Sequence, residues 1–208
     1  MNLRDAVRAR RSIRSFENRP VDLGAVRRAI ELAVQAPAPH HSSPWRFALL
    51  WDPAQKEALS NRMGEAWRRD LADDGLDPSR IEGIVGRSHK MLTATPLLVV
   101  CCADQSRAHH YPDERRARAE SNLFAHSIGA ALQTFMLSLA TENIASCWIS
   151  APAFCAEIVR EHLGLDRQVE PQALILVGYA SSAYVARPRQ VPDASSYLVE
   201  PGSLLPRE

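Results

Sequence analysis

The stretch Ala36-Pro37-Ala38-Pro39-His40-His41-Ser42-Ser43-Pro44-Trp45-Arg46-Phe47 concentrates side chains that can do chemistry. Two adjacent imidazoles, two hydroxyls and an indole stand among three prolines within eight residues, 37–44, and the residues just after them. Proline fixes φ and removes a backbone donor, so this segment reads as a stiff loop and not as sheet interior. It falls between a helical pattern and an apolar strand pattern, where binding loops on rigid scaffolds sit. A stiff loop that can stack and hydrogen-bond suits a planar heteroaromatic ligand. The plain alternative is a turn of ordinary polar residues.

A second concentration is Arg10-Arg11-Ser12-Ile13-Arg14. Three guanidiniums and a hydroxyl in five residues can hold a phosphate monoester, because arginine's fork matches phosphate oxygens. The glycines of a phosphate-binding loop are absent, and a solvated basic turn is the competing reading. Arg187-Pro188-Arg189 offers two more cations about a rigid proline. Arg87 and Lys90, three residues apart, are expected on one helix face, where an ammonium can meet a polarised carbonyl or an anionic ring nitrogen. The same cations could simply answer a helix dipole.

Other chemistries fare worse. His40-His41 and His109-His110 have no Asp, Glu or Cys at matching ligand spacing, so no metal site is expected. Cys101, Cys102, Cys147 and Cys155 show no C-x-x-C and no disulfide-framework pattern; buried thiols in a reducing cytoplasm are the simplest account. No G-x-S-x-G elbow supports a serine nucleophile.

These groups need a scaffold, and 208 residues allow a single domain with a sizeable core. With 25 basic and 24 acidic residues, no net field points to nucleic acid or a membrane surface. Only Lys56 and Lys90 among the cations are lysines, a bias that a compositional preference for arginine explains for most surface positions. The N-terminus is charged from Arg4, so no leader is expected, and no apolar run is read as long enough to span a membrane. Apolar spacing predicts helices over 2–10, 22–34 (N-capped by Asp22), 53–73, 78–92, 114–143 and 152–163. Strands are predicted over 47–51, 97–103, 144–149 and 172–179. The helix over 114–143 is apolar nearly all round in its middle and is expected to be central, with Gly129-Ala130-Ala131 permitting close approach of another helix. Strands and helices do not alternate strictly and no G-x-G-x-x-G follows a strand, which argues for an α+β architecture. The tail over 181–208 cannot pack alone and is expected to lie on a partner.

Taken together, the motifs resemble the FMN-dependent nitroreductase family. R-R-S-I-R-S-F is similar to its N-terminal phosphate motif, S-P-W-R-F to its Q-P-W-x-F loop and K-M-L-T-A to the segment approaching the flavin ring. S-C-W-I-S is similar to the segment that passes the flavin's reactive nitrogen. The resemblance implies an α+β nitroreductase-like fold, a mainly antiparallel sheet flanked by helices, in an intertwined homodimer with FMN at its interface. It assigns FMN contacts to Arg10, Arg11, Ser12, Arg14, Pro39, His41, Ser43, Arg87, Lys90, Trp148, Ile149, Ser150, Arg187 and Arg189.

His41 and Ser43 stand where generic members have Asn and Gln. A-P-A-P-H-H, H-x-Y-x-D-x-R-R (His109, Tyr111, Asp113, Arg115, Arg116) and S-x-x-x-F-C (Ser150, Phe154, Cys155) look like one subgroup, the C-terminal domain of FbiB from coenzyme F-420 biosynthesis. That resemblance implies reduction of the enolpyruvyl C=C of dehydro-coenzyme F-420-0 by hydride from reduced FMN. His40 or His41 would supply the proton, and His110, Tyr111, Arg115 and Arg116 would bind the substrate. NAD(P)H or another reductant would be the electron donor, and a separate γ-glutamyl ligase a possible partner. The alternatives are a general NAD(P)H-dependent nitro- or quinone reductase and a non-catalytic module binding flavin or F-420 precursors. The expected location is cytoplasmic.

Overall fold

The apolar run Leu97–Asp104 is the strand around which the protein is built, and its first seven residues are buried. In the computed structural model, which describes residues 1–191 and 193–198, four strands form one antiparallel sheet. They are β1 (Trp45–Leu50), β2 (Leu97–Asp104), β3 (Ala145–Ile149) and β4 (Val169–Gly178), in the spatial order β1-β2-β4-β3. Among the described residues seven α-helices surround them: α1 (Leu3–Ala9), α2 (Leu23–Ala33), α3 (Pro53–Asp73), α4 (Pro78–Ala94), α5 (Glu114–Thr141), α6 (Ala151–Phe154) and α7 (Ala156–Leu163). The expected α+β class is what is found.

Strand side chains alternate between faces, and β2 divides the core accordingly. Leu97, Val99 and Cys101 join Ala173 and Ile175 under α2 and α5, where Phe124, Leu132 and Phe135 are fully buried. Leu98, Val100 and Cys102 face the other way with Leu174 and Leu176, covered by Leu59 and Met63 of α3, Leu92 of α4 and Val159 of α7. This two-sided burial is why β2 and β4 read as continuous apolar runs rather than alternating ones.

Helix starts follow short acceptors: Asp22, Asp52, Asp77 and Asp113 each accept a backbone N–H of the first turn they precede. Asn143 ends the turn after α5 with φ 57°, a left-handed value that asparagine tolerates. Gly178 closes β4 for a different reason. A Cβ there would lie 2.7 Å from Cδ1 of Phe16, whose segment bridges to Ala180. Gly178→Ala is therefore expected to cost about 1–3 kcal/mol, read as a lower urea midpoint. Phe16→Ala removes the clashing ring but also its own packing, so the losses of the two variants should be less than additive in the double variant.

Four expectations need correction. The helix expected over 152–163 is two, because Cys155 (φ −138°, ψ 42°) breaks it between α6 and α7. β4 begins at Val169, three residues earlier than expected, since a bulge opposite Cys101 and Cys102 accommodates Pro171 within the pairing with β2. The middle of α5 is less enclosed than its composition suggests. Leu123 is 43% exposed, and a Cβ on Gly129 would meet nothing within 4 Å. Finally, α5 is long and apolar enough to cross a membrane by length and composition, contrary to the sequence reading. Half of its most apolar window is nevertheless buried inside the protein, and it packs on α2 and the sheet as a core helix.

Candidate active site

Arg14 reaches its position because residues 12–17 run extended along the strand ends. Ser12 bridges in parallel to Ser146 of β3, Ile13 N–H donates to the Ser146 carbonyl, and Glu17 N–H donates to Tyr179. Side chains alternate along such a segment, and Arg10, Ser12 and Arg14 act together on Cys147. Burial pushes that thiol up, opposed by Arg14, by Arg10 and by a Ser12 hydrogen bond. Arg11 points elsewhere, its guanidinium donating back to the carbonyls of Arg8 and Arg10 at the end of α1. Of the three arginines only Arg14 lines the larger cavity beside this segment.

Beside Arg14 opens a cavity of about 840 Å3. One helical stripe of α3 supplies Ser60, Met63, Trp67 and Asp70 to its wall, with Asp74, which caps the helix, next in line. α4 supplies Val85, Arg87, Ser88, Met91 and Leu92, and the end of β3 with α6 adds Trp148, Ile149, Phe154 and Cys155. The chamber is apolar and aromatic, with Arg14 and Arg87 as its cations and Asp70 and Asp74 as its carboxylates. Ser60 is buried and its hydroxyl lies 3.1 Å from Nδ1 of His89, which also lines the wall. The Trp148 indole N–H donates to Ser150 Oγ at 3.1 Å, which fixes the tryptophan at the rim.

The structure thus gathers Arg14, Arg87, Trp148 and Ile149 in one cavity, with Ser150 adjoining it. Arg10 and Arg11 border a smaller cleft of about 190 Å3 with Ser146 and Ala180. Lys90 does not join Arg87. The cavity stripe of α4 is centred on Ser88, and at 100° per residue Lys90 falls about 200° round the helix, where it is exposed. Arg187 and Arg189 lie in the exposed extended tail, among the described residues, and are not in the cavity wall. The buried lysine is Lys56, whose Nζ donates to the Thr95 carbonyl at 2.6 Å and whose pKa is lowered by burial, against the opposing pull of Asp52.

The proline loop lies elsewhere. It feeds β1, one edge of the sheet, whereas Trp148–Ser150 leave β3, the other edge. Pro39–His41 form a short 3-10 turn, and His40, His41 and Ser43 have φ of 54°, 51° and 49°. Left-handed backbone at three non-glycine positions in four residues is strain of the kind that collects at functional loops. Ser42 Oγ is a buried polar atom with no hydrogen-bond partner among the described residues.

Other contacts clamp this loop in place. Arg107 donates to the His41 carbonyl, Asp104 N–H to the Pro44 carbonyl, and the Trp45 indole to the Ser127 carbonyl of α5. The expected substrate groups stand on this side too. His109 meets Tyr111 edge-on at 6.4 Å, and Arg116, paired with Asp113, lies 5.2 Å over the Tyr111 ring. His110 and Arg115 flank them, and both are exposed. None of these residues lines the cavity described above.

Sequence reasoning missed the α3 wall and Glu120. The signal for Glu120 was present: it shares the buried stripe of Phe124, Ser127, Ile128 and Ala131 at helical spacing, and only 6% of its side chain is exposed. His89 and Ser60 gave no comparable signal, because their meeting depends on how α3 and α4 pack.

An iodotyrosine deiodinase of Drosophila melanogaster is 29% identical over 85% of this chain, which spans 62% of that protein's length. An NADH dehydrogenase of Thermus thermophilus is 26% identical over 86% of this chain and 87% of its own. The structure of a nitroreductase with bound FMN from Bacteroides fragilis superposes with a TM-score of 0.72 at 19% identity, covering 96% of this chain and all of the other. These similarities speak for the fold. The model of the nitroreductase family matches residues 7–179, so the chain belongs to the nitroreductase family of flavin-dependent oxidoreductases.

Proposed function

We propose that the protein is an FMN-dependent reductase that draws electrons from a reduced nicotinamide and passes them to a small conjugated acceptor such as a nitroaromatic or a quinone. The observation that carries this reading is the pairing of Arg14 and Arg87 with an otherwise largely apolar, aromatic chamber. The chamber suits a ligand with a flat ring and an anionic end. The residues fit FMN: Arg14, with Arg10 and Ser12 beside it, would hold the phosphate, and Arg187 and Arg189 could reach it from the tail. Arg87 would face the polar edge of the ring, and Trp148, Ile149 and Ser150 its other margin. When bound, FMN supplies the two-electron chemistry, taking hydride from the nicotinamide and handing it to the acceptor. Met63, Trp67 and Met91 in the wall would limit water around the ring. The Thermus relative's name as an NADH dehydrogenase, and the FMN in the Bacteroides structure, support donor and cofactor.

Pro39, His41 and Ser43 stand at the opposite sheet edge from this chamber within one chain. We infer that a second copy brings its proline loop to the site, making a homodimer the working unit. His40 is engaged by Glu120, so His41, exposed on the loop, is the better placed of the two to deliver a proton to the acceptor. A second acceptor has one observation in its favour. Tyr111, Asp113 and Arg116 form a connected group with His110 and Arg115 beside it. Such a group could bind the phosphodiester and carboxylate of dehydro-coenzyme F-420-0.

The test is anaerobic reduction of the FMN-loaded protein with NADH or NADPH, then addition of each acceptor while the flavin absorbance is followed. Return of the flavin bands with nitroaromatics or quinones supports the first reading. Return with the F-420 precursor alone replaces it with the second. Failure of the apoprotein to take up FMN would sink both. Light scattering at micromolar concentration reads the dimer, and a monomer there would contradict the composite site.

A further inference from the structure

At the other sheet edge from the chamber within one chain, three elements bring two imidazoles and a buried carboxylate together. His40 comes from the proline loop, His109 from the loop after β2, and Glu120 from α5. One ligand-type atom from each lies within 4.8 Å of the other two. We propose that His40, His109 and Glu120 form a binding site for a divalent first-row transition metal of the zinc type.

Charge is the first argument. Glu120 is 5% exposed, and its only ion-pair partner among the described residues is His40, at 3.2 Å from Nε2 to Oε1. A buried carboxylate requires a cation, and no arginine or lysine among the described residues supplies it. Geometry is the second. Two ligand atoms on a tetrahedral zinc with bonds of about 2.0–2.1 Å stand about 3.3 Å apart, close to the His40–Glu120 separation. A ring nitrogen of His109 lies within 4.8 Å of both ligand atoms, its ring stacks on that of His40 with centroids 3.9 Å apart, and its backbone N–H donates to the same Glu120 oxygen at 2.9 Å. One carboxylate oxygen thus contacts both histidine residues.

Backbone strain is the third argument. His40 is held at φ 54°, and a ligand bond would help offset that cost. Two imidazoles and one carboxylate favour zinc, cobalt, nickel or ferrous iron over magnesium and calcium. Three protein ligands leave at least one position for water, or for an anionic group of a ligand lying against Tyr111. The histidine spacing in the sequence could not reveal this set, since its members are 69 and 11 residues apart.

The test uses the full-length protein after chelator treatment, titrated with Zn2+ by calorimetry and with Co2+ by difference absorption. The expected result is one zinc per chain with micromolar or tighter affinity, and cobalt d–d bands of a low-coordinate site. Glu120→Gln and His109→Ala should each weaken zinc on the order of tenfold or more, while His126→Ala, on an exposed face of α5, should not. Should Glu120→Gln fail to fold, the exposed His109 carries the comparison. Absence of stoichiometric binding, or an affinity unmoved by His109→Ala, would overturn the site and leave a His40–Glu120 ion pair. The readout is metal binding, so it stands apart from the success or failure of the flavin assignment.

Discussion

Replacing Arg14 with alanine is expected to weaken FMN binding about 10- to 100-fold without lowering the melting temperature of the apoprotein. A hydrogen bond to a charged group is worth about 1.5–3 kcal/mol, and each 1.4 kcal/mol is about a factor of ten in affinity. Arg14 is exposed and makes no ion pair among the described residues, so removing it takes nothing from the core. Its position in the chamber wall is the reason to expect the loss in the cofactor. Quenching of flavin fluorescence on titration gives the dissociation constant. Arg14→Lys should recover only part of the affinity, because a point charge replaces a planar fork. Arg11→Ala is the informative contrast. Its guanidinium is turned to the Arg8 and Arg10 carbonyls, so it should cost far less than Arg14→Ala. Equal effects from the two would mean that the turn of Arg11 toward the α1 carbonyls does not keep it from the phosphate.

Phe135→Ala is expected to remove about 3–5 kcal/mol of stability, a large share of the roughly 5–15 kcal/mol typical of a folded domain. Phe135 is fully buried on α5, meets the Phe47 ring of β1 at 6.0 Å, and packs among Val99, Cys101, Ala173 and Ile175 on one face of the sheet. Truncation leaves a void lined by strand residues that cannot collapse into it, since the sheet is held by its own hydrogen bonds. Urea unfolding at one fixed protein concentration reads the change, because association would otherwise shift the midpoint. A lower midpoint with an unchanged slope is the expected pattern. A loss under about 1 kcal/mol would mean that α5 does not seat on the sheet through this residue.

The same helix separates two kinds of information. Its length, its buried stripe and its cap at Asp113 are readable in order along the chain, because they depend on a repeat of 3.6 residues and on a local acceptor. Its fate as core and not membrane span depends on what covers it, which composition cannot report. Lys90 and Arg87 illustrate a similar divide. Their spacing permits a shared face, but the centre of the buried face is set by α3 packing on α4, and that places Ser88 inward and Lys90 outward.

By itself, the sequence determined the α+β class, the four strands, most helix boundaries and the family, since all rest on local periodicity, capping and contiguous motifs. It also singled out Arg14, Arg87, Trp148 and Ile149, which the fold does bring to one cavity. Only the tertiary structure decided that Arg14 lines the chamber while Arg11 turns back to α1, and that the histidine loop lies at the far sheet edge. It alone brought Glu120 to His40 and His109. Each of these is a relation between elements distant in the chain, fixed by strand order and helix packing, and no local spacing encodes it.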